Sequence, residues 1–571
     1  MRFFQNIKKI LTKDEILLFL IISFGLVIAS IIELFGISLI IPIIYTLISD
    51  DFYSKIVIFL NNYGFNNFTK QGFLIFTFLI FSSIYILKNI LLAIFYWHEG
   101  KFIYSVSENI SSKIFKQYLN KDYSDHIKEN SAQLAAEINI ELNHIKNLFH
   151  GLLSIISEIF IFISLIFILL YFSPANLLKI LPFFIISFYL FYIFANKVIK
   201  KIGEERKKND YLKTKKIQES IGGIIEIISF KKEKYFGEIY DKYIFKLIKV
   251  FYKIHFFLKL PRIYFETLAI IAISAFSIIV LLGGTGNDEF VAILTIFVAI
   301  SLRLLPSINK IVTSFNAVRY SYPASISIGN TIARGIKTKN KRIRKKTKIK
   351  FFKNLKFSNI FFKFPKNDFR INFNLKIRLG EKIGILGESG SGKTTLMNLL
   401  LGLYTPNKGK IYFNEEKIES IYLKNLISYV PQSVYIFDGT ILENITFGEY
   451  DKSKDNLLLN ESLKYSNCDN FIKKLPLKLM SKVGEAGSKL SQGQRQRIGI
   501  ARAIYNSLPI LILDEITSSL DNDNSNKIIN QILKIKGKTI IFSTHKPELL
   551  KKFDTIIRID KGNIYFEKKL K

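Results

Sequence analysis

Six long apolar runs within the first 305 residues decide most of what this chain can become: Glu15–Ser49, Gly72–Trp97, Leu148–Phe172, Leu177–Ala195, Tyr264–Leu282 and Phe290–Leu305. A helix of about 20 mostly apolar residues crosses a bilayer, and it satisfies its own backbone hydrogen bonds where hydrocarbon offers none. Residues 1–334 therefore read as an all-α membrane domain with six spans. The first run exceeds one crossing, so it is expected to tilt or project beyond the membrane, with Pro42 placed to kink it. It is too long for the core of a secretory signal, and no small-residue cleavage site follows it.

The connections set the orientation. The loops Glu99–Asn147 and Lys197–Leu260 are long and basic, whereas Ser173–Asn176 and Gly283–Glu289 are short and lack Lys and Arg. The bias of basic residues toward the inside puts the N-terminus, both long loops and everything after Leu305 in the cytoplasm. The net charge of +35, from 81 Lys+Arg against 46 Asp+Glu, first suggests a nucleic-acid partner. That class is excluded: the cations gather between and after the apolar runs, no base-reading motif is present, and a mean hydropathy of +0.23 is too apolar for an ordinary soluble enzyme. Cys468 is the only cysteine, so neither an internal disulfide nor a cysteine metal cluster can form.

Asp50–Lys70 falls on the outer side. Phe52, Ile56, Val57, Phe59 and Leu60 line one face of a possible surface helix, and an ordinary ordered loop fits the pattern equally well. Within the cytoplasmic loops, Ile103–Tyr118, Ala132–Asn147 and Glu204–Ile228 carry apolar residues at helical spacing. These stretches extend the membrane helices, with turns expected near Asp122–Asn130 and Ser229–Tyr235. Gly335–Lys350 is dense in Lys and Arg and reads as a solvated linker, with attraction to anionic headgroups as a second role.

From residue 351 onward short strands, glycine turns and helices alternate, the pattern of an α/β nucleotide-binding domain. Its centre is Gly387-Glu388-Ser389-Gly390-Ser391-Gly392-Lys393-Thr394, which fits G-x-x-x-x-G-K-T. The apolar strand Ile383–Leu386 precedes it and an apolar helical run, Thr395–Leu401, follows, the setting the motif requires. Glycines let the loop curl until successive N–H groups point at a phosphate, and the next helix adds the positive end of its dipole. Lys393 offers a point charge to the β- and γ-phosphates of ATP, and Thr394 a hydroxyl to Mg²⁺. Further along stand Tyr429-Val430-Pro431-Gln432, then Leu490-Ser491-Gln492-Gly493-Gln494 before an Arg- and Ala-rich helix. The apolar run Ile510–Leu513 leads into Asp514-Glu515, then Ser518-Ser519-Leu520-Asp521, and the strand Thr539–Ser543 ends just before His545.

With these motifs in this order over Phe361–His545, the sequence resembles the ATP-binding cassette (ABC) family. The resemblance implies ATP as nucleotide and Mg²⁺ as metal, held by Thr394, Gln432 and Asp514. It implies Glu515 as general base and His545 as the switch residue at the γ-phosphate. Phe364 would stack on adenine, in a place where the family usually has tyrosine. The loop Gly387–Thr394 with Thr395 would bind the phosphates, and Ser491, Gly493 and Gln494 would complete the site of the opposite subunit. One chain with six spans and one cassette is then a half-transporter of the exporter type, needing a second copy of itself. The domains are expected at 1–334, 335–350 (linker) and 351–571.

Cargo is a separate question. Lys88, Arg262, Arg303 and Lys310 lie in or beside spans. An unpaired cation deep in a bilayer costs about 2.5–3.5 kcal/mol, so each should face a polar cavity, an acidic partner or an anionic ligand. Pairing with Glu33, Glu158 or Glu266 stays open for them, as does snorkelling to the headgroups. Four stretches, Pro261–Glu266, Arg303–Lys310, Ile32-Glu33 with Ile37–Leu39, and Asn444–Gly448, resemble the PglK type of bacterial flippase for lipid-linked oligosaccharides. That resemblance implies a polyprenyl-pyrophosphate-linked glycan as cargo, the four cations as its contacts, and the bacterial inner membrane as the location. An exporter of another lipid, a drug or a peptide is the alternative.

Overall fold

The computed structural model describes residues 2–38, 43, 46, 53–54, 58, 69–127, 130–172, 174–282, 287–342, 352–364, 369–448, 450, 452–517 and 522–568. Two compact units emerge: Met1–Lys121 with His126–Arg344, and Asp122–Asp125 with Lys345–Lys571.

The first unit is helical throughout its described residues. A short amphipathic helix, α1 (Arg2–Ile10), leads into α2 (Lys13–Ser38). The joint is a reciprocal cap: Thr12 N donates to Glu15 Oε2 at 2.7 Å and Glu15 N to Thr12 Oγ1 at 3.3 Å. Next come α3 (Lys70–Leu119), the short α4 (Tyr123–His126), of which residues 123–125 belong to the second unit, and α5 (Ser131–Ala136). A π-helical turn, Glu137–Glu141, joins α5 to α6 (Leu142–Phe172). The helices α7 (Pro174–Gly222), α8 (Ile224–Ser229), α9 (Glu233–Leu282) and α10 (Asn287–Arg342) complete the unit. The 50 residues of α3 extend about 75 Å, far more than the ~30 Å of hydrocarbon. The spans thus run on as single rods into the long basic loops, as the helical spacing there predicts. Among the described residues, Lys13–Gly36, Lys70–Leu119 and Ser131–Phe167 each hold a window long and apolar enough to cross a membrane. The other three expected spans fall inside α7, α9 and α10, parts of whose side chains lie outside the description. The segment expected on the outer surface, Asp50–Lys70, lies almost wholly outside the described residues.

One expectation changes. Helix α10 does not stop at residue 334 but continues to Arg342, so the first half of the expected linker is helical. Lys and Arg are good helix formers, and no Pro or Gly follows Gly335 to end the rod. Residues 343–350 lie outside the description. Four prolines, Pro182, Pro261, Pro306 and Pro323, also sit inside helices without ending them, because neighbouring helices hold the rods in place.

The core of this unit is built by α3, α6 and α10, through Val106, Ile110, Ile114, Ile145, Leu148, Leu153, Ile328 and Ile332. Helices α7 and α9 pack on each other through Ile199, Ile202, Val250 and Ile254. At Gly203 of α7 a Cβ would stand 2.7 Å from the Tyr320 carbonyl of α10, so the crossing needs glycine. One turn away lies a buried ionic knot. Arg206, fully buried, donates to Glu141 Oε2 at 3.1 Å, lies 3.6 Å from Asp210 Oδ2, and stacks 5.3 Å from the Tyr320 ring. Burial pushes the Asp210 carboxyl up, and the Tyr320 phenol up to about 12. His144 meets Tyr320 edge-on, and burial with the Arg206 charge pushes its imidazole down to about 3.

The second unit is a ten-stranded sheet with helices. Its strands are β1 (Asn354–Lys363), β2 (Arg370–Arg378), β3 (Lys382–Gly387), β4 (Lys408–Phe413), β5 (Glu416–Ile418), β6 (Ile427–Val430), β7 (Ile510–Asp514), β8 (Thr539–Thr544), β9 (Thr555–Asp560) and β10 (Asn563–Lys568). Their order is β5-β4-β1-β2-β10-β9-β3-β8-β7-β6. The run β9-β3-β8-β7-β6 is parallel. Strands β7 and β8 are buried at every position, as befits parallel strands covered on both faces. Helix α11 (Lys393–Leu400) follows β3. Helices α12 (Ile441–Thr446), α13 (Lys452–Tyr465), α14 (Asp469–Ile472) and α15 (Gln492–Tyr505) share a separate helical core. Helix α16 (Asn522–Leu533) lies between β7 and β8 in sequence.

Candidate functional site

Parallel register collects the motif residues at one edge of the sheet. Leu386 pairs with Thr544, Asp514 with Ser543, and Val430 with Leu513. The phosphate loop, Gln432, Asp514-Glu515 and His545 therefore all leave the carboxyl ends of adjacent strands, where open α/β sheets place ligands.

The loop between β3 and α11 has the predicted form. Gly390 and Gly392 take φ of +81° and +111°, which side chains rarely adopt. At Gly387 a Cβ would stand 2.9 Å from the Ile559 carbonyl, so β3 can approach β9 only as glycine. Lys393, buried at the first turn of α11, folds its Nζ back to the Gly387 carbonyl and lies 3.0 Å from Glu515 Oε1. Gln432 Nε2 donates to Glu515 Oε2 at 3.0 Å. Glu515 has φ +46°, in the left-handed region, so its side chain is turned toward the loop at some backbone cost. Asp514 is buried, and Tyr429 O–H donates to its Oδ2 at 3.2 Å. Burial is the main cause that raises the carboxyl of Asp514 above its ordinary range, and it also raises the Tyr429 phenol. Lys393, Gln432, Asp514 and Glu515 are thus brought together as the motifs require.

These residues fit ATP and Mg²⁺. Ser391 Oγ is buried in the loop with no partner among the described residues, a donor a phosphate oxygen would satisfy. Thr394, Gln432 and Asp514 offer a hydroxyl, an amide oxygen and a carboxylate, the oxygen ligands Mg²⁺ prefers. Glu388, Ser389 and Thr394 are exposed and Thr395 is half-buried. His545 is exposed one residue beyond β8. Phe364 packs edge-on to Phe362 and Tyr404, with centroids at 4.9 and 5.6 Å. Ser491 and Gln494 form a capping box on α15, Ser491 Oγ accepting from Gln494 N at 3.2 Å and Gln494 Oε1 from Ser491 N at 2.9 Å. Among the described residues, neither they nor Gly493 touch the phosphate-loop group. Ser518–Asp521 lie outside the description.

Two features here escape sequence reading. Tyr429, three residues before Gln432, caps Asp514, a role that its place in the motif does not name. Arg502 of α15 donates to the Asn444 and Tyr435 carbonyls at 2.8 and 3.0 Å and stacks 4.3 Å from the Phe447 ring. It ties the helix behind Ser491 to the segment behind Gln432, and burial pushes its guanidinium down to about 10.

The membrane unit holds the four cations, each on a glutamate. Glu33 of α2 accepts from Arg303 Nε through Oε1 and lies 3.2 Å from Lys88 Nζ through Oε2. Arg303 also reaches Ser307 Oγ at 3.4 Å. Lys310 Nζ donates to Glu158 Oε1 at 2.8 Å, and Glu158 Oε2 is buried with no partner among the described residues. Arg303 and Lys310 are two turns apart on one face of α10. Arg262 stands apart: exposed on α9, it pairs with Glu266 at 2.8 Å. Of the readings left open by the sequence, acidic pairing is thus the one observed, and Arg262 does not join the other three.

Comparisons with known proteins bear on both units. The family profile for the ABC transporter transmembrane region matches residues 17–304, and that for the ABC transporter matches 371–518. A Rickettsia felis protein named as a candidate export ATP-binding/permease protein is 43% identical over 197 residues, 34% of each chain. An ATP-dependent lipid A-core flippase of Saccharophagus degradans is 40% identical over 192 residues, 33% of this chain and 32% of that one. The chain thus matches about a third of the length of these curated relatives. In fold it is similar to a bacterial Atm1-family ABC exporter solved with ATP bound, with a TM-score of 0.78 at 17% identity, covering 98% of this chain and 95% of that one.

Proposed function

The chain belongs to the ABC transporters, and from that premise we propose that it is an ATP-hydrolysing flippase or exporter whose cargo is a polyprenyl-pyrophosphate-linked oligosaccharide. It works as a pair of identical chains in a bacterial inner membrane, with the cassette in the cytoplasm. The observation that carries the cargo reading is that, among the described residues, the cations Lys88, Arg303 and Lys310 pair with two carboxylates, Glu33 and Glu158. One positive charge is left over, inside apolar helices where charge is expensive. A pyrophosphate headgroup fits that surplus, while its lipid tail can stay in the bilayer.

In the cassette, Lys393 and the loop N–H groups hold the phosphates. Thr394, Gln432 and Asp514 would hold Mg²⁺, which would supply positive charge to offset that of the phosphates. Glu515 accepts a proton from water as the water oxygen attacks the γ-phosphorus, and the bond to the leaving ADP oxygen breaks. Gln432, bonded to Glu515, orients that carboxylate, and His545 contacts the γ-phosphate. Ser491 and Gly493 act on the nucleotide of the second copy. The pairing is supported by Phe245, Ile248, Tyr252 and Phe256, all exposed on the part of α9 outside its span, a patch of the kind that marks an interface.

A second phosphorylated lipid remains the alternative cargo, favoured by the lipid A-core flippase among the relatives. Stimulation of ATPase activity distinguishes them. The purified protein in liposomes is expected to hydrolyse ATP faster with a polyprenyl-pyrophosphate-linked oligosaccharide than with lipid A-core. Stimulation by lipid A-core alone would reassign the cargo.

A further inference from the structure

A cavity of about 220 Å³ opens between α6, α7 and α10, lined by Ile159, Phe191, Tyr192, Asn196, Phe315 and neighbouring apolar groups. Its level in the membrane follows from the chain. Ala195 and Asn196 stand where the apolar run of α7 ends, and Ser314 and Val318 pack on Gly151, near the cytoplasmic start of the α6 run. The cavity is therefore at the inner-leaflet end of the spans, apolar on its walls, with polar groups on its cytoplasmic side.

Arg319 closes that side. Its guanidinium stacks on two lining rings, 4.8 Å from Phe315 and 5.3 Å from Tyr192, and donates to Tyr192 Oη at 2.8 Å. Its Nε is buried with no acceptor, and among the described residues no carboxylate pairs with it. Every other arginine or lysine discussed in this unit has a glutamate: Lys88 and Arg303 on Glu33, Lys310 on Glu158, Arg206 on Glu141, Arg262 on Glu266. A fixed, half-buried guanidinium without a counter-ion, at headgroup level beside an apolar groove, fits a phosphate carried on a hydrocarbon chain.

We propose that this groove seats one acyl chain of an anionic glycerophospholipid of the inner leaflet, with its phosphodiester on Arg319. One guanidinium suits a singly charged phosphodiester. The doubly linked pyrophosphate of the proposed cargo needs several cations, and those lie at Lys88, Arg303 and Lys310 instead. The bound lipid would tie α7 to α10 at the membrane surface, where Tyr192 and Phe315 already meet.

The test is lipid retention by the full chain. The protein is equilibrated in nanodiscs of equal parts phosphatidylglycerol and phosphatidylcholine, extracted in mild detergent, and its retained lipid measured by native mass spectrometry. Wild type is expected to keep phosphatidylglycerol selectively. Arg319→Gln should keep about ten-fold less, Arg319→Lys an intermediate amount, and Ile159→Trp, which fills the groove, little. Lys259→Gln, an exposed cation on α9, should retain as wild type does. Thermal protection by ATP shows that each variant is folded. Equal retention in Arg319→Gln and wild type overturns the proposal, as does retention without headgroup preference. Displacement of phosphatidylglycerol by stoichiometric geranylgeranyl diphosphate would give the groove to the cargo, and disulfide formation between two Ile159→Cys chains would give it to the second copy. Either result also overturns it.

Discussion

At the scale of single residues, three carboxylates carry most of the account. Glu515 touches both Lys393 and Gln432, so its removal should act on hydrolysis and spare binding. Glu515→Gln is expected to lower ATP turnover by about 10²–10⁴-fold while leaving nucleotide affinity near wild type, read by fluorescence titration beside a phosphate-release assay. Hydrolysis at the wild-type rate would remove Glu515 from the base role. Asp514 is kept where its charge is costly: burial raises its pKa above the ordinary 3.8. The native state then holds a proton that the unfolded chain releases, so the stability this group contributes is present below that ordinary value and lost as pH rises through the native one. Asp514→Asn should therefore be thermally more stable than wild type at neutral pH without Mg²⁺ and nucleotide, and lose Mg²⁺-dependent turnover. An unchanged or lower melting temperature would contradict this. Glu33 serves two cations, Lys88 and Arg303. Glu33→Ala strands both and should cost about 3–5 kcal/mol, and adding Lys88→Met should recover part of that loss in the same melting experiment.

At the scale of elements, α6, α7 and α10 are held together beyond their apolar runs by the knot at Arg206. Its pH response is set by His144. The native imidazole, pushed down to about 3, stays neutral where the unfolded one, with its ordinary value of 6.5, takes a proton. Stability is thus lost as pH falls between those two values, by at most about 3 kcal/mol near pH 4. His144→Gln should flatten that acid limb of the melting curve, and an unaltered limb would show that another group sets it. The sequence made some elements legible and hid others for physical reasons. Strands β3, β7 and β8 were readable because buried parallel strands are short unbroken apolar runs ending in motif residues. The membrane rods were readable from hydropathy and then from helical spacing. The end of α10 was not, because a Lys- and Arg-rich stretch serves as helix or as solvated coil, and only its neighbours decide. The Arg206 knot was also hidden: Arg206 and Asp210 show helical spacing, but Glu141 is 65 positions from Arg206, and the π turn that carries it has no sequence signal. In the site, Lys393, Asp514 and Glu515 were legible by motif, whereas the anchoring Arg502 depends on carbonyls of a distant segment that no pattern names.

At the scale of the whole molecule, the proposed function couples ATP hydrolysis in the cassette to a membrane unit in which, among the described residues, Lys88, Arg303 and Lys310 share two glutamates. The capping box holds Ser491 and Gln494 on their own helix, apart from the phosphate loop of the same chain, which suits a role toward a second copy. The most direct measurement is transbilayer movement of a fluorescent polyprenyl-pyrophosphate-linked oligosaccharide in liposomes, followed together with ATP hydrolysis, for wild type and Arg303→Ala. The account predicts that wild type moves the lipid only with ATP, and that Arg303→Ala hydrolyses ATP but moves little or none. If wild type hydrolyses ATP and the lipid never crosses, or if Arg303→Ala moves it as fast as wild type, the proposed cargo and its headgroup site are contradicted.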